Sequence, residues 1–131
     1  MEKHYDLEER TERFAVAVLS TCKKITNNIE NRELISQVVR SAGSVGANYI
    51  EANEALGKKD FAYKIRICRK EAKETRYWLR LIVAVNHDLE KSVKDLIQES
   101  TELMNIFGAI LKKVFEYFNF VIYFGFRFSC F

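Results

Sequence analysis

Lys59, Arg66, Lys73 and Arg80 stand seven residues apart, and Arg69 and Arg76 fall on the adjoining column of the same helical face. Six cations in one stripe suit a phosphate track, because each neutralised phosphate of RNA or DNA releases counterions and adds affinity without reading sequence. From Lys58 to Arg80 there are nine Lys or Arg against three Asp or Glu, a local balance of +6 in a chain of net charge +3. The competing reading is a solvated face whose cations pair with acids on neighbouring helices. Tyr63, Ile67, Tyr77, Trp78, Leu81 and Val85 lie off the core seam of the same segment and form a second apolar face. A lone bundle has little use for it, whereas subunit interfaces are enriched in aromatic residues. No aromatic side chain interleaves with the stripe within this segment, so contacts from it should discriminate little between bases.

Other chemistry is sparse. Glu51 and Glu54, with Asn48 nearby in "ANYIEANE", could hold a metal only with further ligands. In an antiparallel hairpin they face the Lys58 to Arg66 end of the next helix, so ion pairs or caps are their expected role, and Glu71 and Glu74 read the same way. His4 and His87 fall in or near expected loops, without a nucleophile pattern, a Gly-rich phosphate loop or an HExxH run around them. No catalytic residue, metal site or cofactor is assigned, and the chain is read as non-enzymatic. Cys22, Cys68 and Cys130 lack ligand or disulfide spacing, and Cys22 and Cys68 are expected to be small core residues.

The elements that must position these residues are helices. The chain of 131 residues has no Pro and five Gly, so little in it breaks a long helix. Four segments carry apolar residues every three or four positions. The first runs from about Asp6 to Ile25 through Phe14, Val18 and Cys22; the second from about Asn31 to Leu56 through Val38, Ala42, Val45 and Ala52. The third runs from about Asp60 to Val85 through Ile65, Cys68, Ala72, Thr75, Leu79 and Ile82. The fourth begins near Ser92, whose hydroxyl with Asp95 resembles a capping box, and continues through Leu103 and Phe107 to Val114. Short connections between them predict an all-α, antiparallel up-down four-helix bundle over residues 1–114.

One stretch of the second helix, "SAGSVGANYI", is a poor helix former, and each Gly costs about 1 kcal/mol relative to Ala. The seam nevertheless keeps its phase across it. The reading is therefore one continuous helix in which Gly43, Gly46 and Ala47 let a neighbouring helix approach closely.

The runs "RSAGSVGANYIEANEALGKKDF" and "KIRICRKEAKETRYWLRLI" closely resemble the four-helix-bundle family encoded in bacterial 23S ribosomal RNA intervening sequences, over roughly residues 8–113. The resemblance implies a small bundle that assembles into a ring-like homopentamer. That family is similar to the accessory variability determinant of diversity-generating retroelements, a bundle that partners a reverse transcriptase and binds nucleic acid. No catalytic activity attaches to it.

Residues 115–131 depart from the family, whose chains usually end in a polar tail. From Phe118 to Phe128 the even positions are all apolar, a strand-like alternation, and the segment is too short and interrupted for a membrane span. The charged N-terminus "MEKHYDLEER" lacks a signal-peptide run, so a cytoplasmic location is the expectation. Two functions fit: a homo-oligomeric nucleic-acid-binding accessory factor using the basic stripe, or an oligomeric scaffold that binds another protein.

Overall fold

The computed structural model describes the backbone of residues 6–129 and the side chains of residues 6–125; His4 and Cys130 lie outside these. Among the described residues there are four α-helices, one 3₁₀ turn and no strand: α1 (Leu7–Cys22), α2 (Ile29–Asn53), α3 (Lys58–Val85), the turn His87–Leu89, and α4 (Glu90–Ser129). The side chains of Asp6 and Asn28 cap the first two, each accepting a backbone N–H three residues on at 2.8 Å.

The expected seams form the core. Phe14, Val18, Val38, Ala42, Val45, Ile65, Cys68, Ala72, Leu79, Ile82, Leu103 and Phe107 are all buried. Thr75, a polar residue on that seam, is also buried, and its hydroxyl lies 2.9 Å from that of Ser41 on α2. Its burial is therefore satisfied, as a core hydroxyl requires. Residue numbers fall along α3 as they rise along α2: Asn31 pairs with Asn86, Ser41 with Thr75, and Glu51 with Lys64. This is consistent with an up-down antiparallel course. Arg10 joins α1 to α4 through Glu99.

Several boundaries differ from the sequence reading. α1 ends at Cys22, and Ile25 reaches the core from the following turn. Cys22, the last residue of α1, is half-buried and packs against the edge of the core, less enclosed than Cys68. α2 stops at Asn53, leaving Leu56 wholly exposed in the connection to α3 and off the seam. α4 starts at Glu90, directly from the 3₁₀ turn that buries Leu89, so Ser92 and Asp95 sit exposed inside the helix and make no capping box.

The largest difference lies at the C-terminus. The strand-like alternation of residues 115–131, whose structure the sequence leaves open, does not produce a strand: α4 is helical through Ser129, 40 residues in one element. Extending an existing helix adds one hydrogen bond per residue with no new nucleation, and residues four apart then stack, as Phe120 and Phe124 do at 4.4 Å between ring centres. At 1.5 Å per residue α4 is about 60 Å long against about 42 Å for α3. Tyr117 lies level with Lys58 at the start of α3, so the helix projects about 18 Å past the bundle. Phe120, Val121, Ile122, Tyr123 and Phe124 are exposed there.

Burial also fixes the chemistry of Cys68. Desolvation pushes its thiol up to about 12, so almost none is thiolate near neutral pH. Treating the native protein with an alkylating reagent at pH 8 should leave Cys68 unmodified while Cys22 reacts slowly, as read by peptide mass spectrometry. Rapid native labelling of Cys68 would contradict its place in the core.

Candidate nucleic-acid interface

α3 turns its seam inward, and this leaves Lys59, Arg66, Arg69, Lys73 and Arg80 exposed on the outside. Arg76, half-buried at the α4 side, donates to Thr101 Oγ1 at 3.3 Å. The line from Lys59 to Arg80 is about 32 Å long. None of these six cations is in an ion pair among the described residues. Three acids of α2 and α3 are engaged elsewhere: Arg40 of α2 reaches both Glu71 and Glu74, and Glu51 takes Lys64 at 2.7 Å. The expected ion-pair role is met by Glu51 and also by Glu71 and Glu74, which pair across to Arg40 of α2. Asn48 donates within α2 to the Ser44 carbonyl, and Glu54 occupies the helix C-cap. Among the described residues no group of three metal-ligating side chains comes together.

The apolar column of α3 is divided. Tyr63, Tyr77 and Val85 are exposed, whereas Ile67, Trp78 and Leu81 are half-buried. Trp78 packs partly on the bundle's own core, with its ring edge-on to Tyr77 at 5.0 Å. Burial of its indole therefore belongs in part to the single chain.

The small residues of α2 are divided too. The helix is continuous through "SAGSVGANYI". A Cβ at Gly46 would lie 2.9 Å from Thr11 Oγ1 and 3.3 Å from Thr11 Cβ, so α1 approaches closely there. At Gly43 a Cβ would meet nothing within 4 Å, and Ala47 is exposed. Both line an open groove between α1 and α2, so the close-packing role belongs to Gly46 and not to Gly43 or Ala47.

Aromatic residues join the basic face from α4, which the sequence reading of α3 alone did not include. The Arg66 guanidinium lies over the Phe115 ring at 5.0 Å, and the Lys58 ammonium over the Tyr117 ring at 2.8 Å. Beside Tyr117, a cleft of about 540 Å³ opens between the α2–α3 connection and α4. Finding these pairs requires the α3–α4 register, which the heptad spacing of each helix does not contain.

No helix among the described residues is long and apolar enough to cross a membrane. The 23S rRNA-intervening sequence protein family matches residues 3–109. No curated protein matches the chain. A crystal structure of a protein of unknown function from the S23 ribosomal protein family of Bacteroides thetaiotaomicron is 31% identical, with a TM-score of 0.74 over 80% of this chain and 97% of that one. With its two characteristic helices, its matching fold and a match over most of its length, the chain belongs to the 23S rRNA-intervening sequence protein family.

Proposed function

We propose that this chain is a non-enzymatic accessory protein, an up-down antiparallel bundle that self-associates, as a pentamer, and binds RNA or DNA in the cytoplasm through the basic stripe of α3. The observation that carries the reading is the stripe itself: six cations along one helix, outside ion pairs, with Glu51, Glu71 and Glu74 committed to Lys64 and Arg40. Cations without acid partners contribute their full field to an approaching polyanion, and repetition around an oligomer multiplies it. The full chain should bind unrelated oligonucleotides at low salt. Absence of binding there would favour the scaffold reading, which the exposed Tyr63, Tyr77 and Val85 support as a protein-binding face.

The same exposed column supports self-association. Light scattering at micromolar concentration should give a multiple of the 15.4 kDa chain mass, and Tyr63→Lys with Tyr77→Lys should reduce it without loss of helicity. A parent mass near that of one chain would remove the oligomer from the proposal.

A further inference from the structure

The cleft at the α2–α3 turn has the composition of a ligand site. Its lining combines the apolar side chains of Leu56, Phe61 and Val114 with Lys58, Lys113 and the exposed ring of Tyr117. Its volume, about 540 Å³, falls within the roughly 300–1,000 Å³ common to small-ligand sites. Two cations of α3 reach aromatic rings of α4 at this end of the bundle, Lys58 of the cleft over Tyr117 and Arg66 of the stripe over Phe115.

We propose that this cleft seats one unpaired base of a single-stranded nucleic acid, stacked on Tyr117, with its phosphate held between Lys58 and Lys113. This inference rests on the nucleic-acid reading above and adds to it a preference for unpaired strands. Three features select that ligand. An aromatic face beside a cationic track is what binds single strands, each base offering a π-face and each linkage a phosphate. The Tyr117 face already attracts a cation, Lys58, which exchanges the ring for a phosphate when a base arrives. A paired base inside a duplex has no free face to present, so duplexes are left with the stripe alone. Because stacking tolerates every base, the site adds strand preference and little sequence preference.

The test uses the full chain and fluorescence anisotropy with three probes of equal length: a single strand, the same strand with abasic positions, and a duplex. The parent should bind the base-bearing strand more tightly than the abasic strand, by roughly 5- to 150-fold, the range for one stacking contact. Tyr117→Ala should abolish that difference while leaving affinity for the abasic strand unchanged, and Tyr117→Phe, which keeps the ring, should retain it. Far-UV circular dichroism checks that both variants stay helical. Equal parent affinity for base-bearing and abasic strands, or an equal loss on both with Tyr117→Ala, overturns the base pocket and leaves the stripe standing. If the parent binds none of the probes, the nucleic-acid reading itself fails and the pocket falls with it.

Discussion

Gly46→Leu destabilises the bundle, and Gly43→Ala does the opposite. At Gly46 even the first added carbon falls 2.9 Å from the hydroxyl of Thr11, a distance that real Cβ atoms do not tolerate. Thr11 cannot easily yield, because it is buried and its hydroxyl is held by the Leu7 carbonyl at 2.7 Å. Either that hydrogen bond is given up or α1 shifts away from α2, and overpacking of this kind costs about 1–3 kcal/mol. The gain in helix propensity from removing a Gly, about 1 kcal/mol or less, offsets part of that for Ala but cannot cover a Leu. At Gly43 the space is open, so the propensity gain is uncompensated and Gly43→Ala stabilises by up to about 1 kcal/mol. Chemical denaturation of the parent, Gly46→Leu, Gly46→Ala and Gly43→Ala checks the ordering. Stabilisation by both Gly→Ala changes would show that propensity alone governs the stretch and that α1 does not press on Gly46.

The second large effect concerns binding. Arg66→Glu combined with Lys73→Glu weakens affinity for all oligonucleotides alike, while helicity and assembly mass stay at parent values. Both side chains are exposed and outside ion pairs, so the folded chain loses only the contact of Arg66 with the Phe115 ring, worth about 0.5–1 kcal/mol at an exposed site. What changes is the field along the track, which acts on phosphates irrespective of base. Unchanged binding by this double variant would move the site off the middle of α3.

How much of this was legible in the sequence follows from what each signal depends on. Heptad spacing depends on one helix at a time, and the seams through Val38 to Ala52 and Ile65 to Ile82 read correctly because burial repeats with the helix itself. The stripe from Lys59 to Arg80 was legible for the same reason. Whether its cations were paired was not, since that depends on Arg40 of another helix taking Glu71 and Glu74. Gly43 and Gly46 look alike in sequence, yet only the angle at which α1 crosses α2 decides which of them meets Thr11. The tail misled because a segment apolar at nearly every position satisfies a period of two and a period of 3.6 together, so alternation carries no information there. With the structure of residues 115–131 left open by the sequence, Phe115 and Tyr117 could not be placed beside Arg66 and Lys58, and the aromatic part of the basic face stayed hidden.

The central claim is that α3 binds phosphates, and salt measures phosphates directly. Affinity of the full chain for one single strand, followed across a range of salt concentrations, should fall linearly on a logarithmic plot, with a slope of about 0.7 for each phosphate neutralised. The account predicts a steep slope for the parent that flattens by roughly 1.4 when Arg66 and Lys73 are both reversed to Glu. A parent slope near zero, or one that the double variant leaves unchanged, would contradict it.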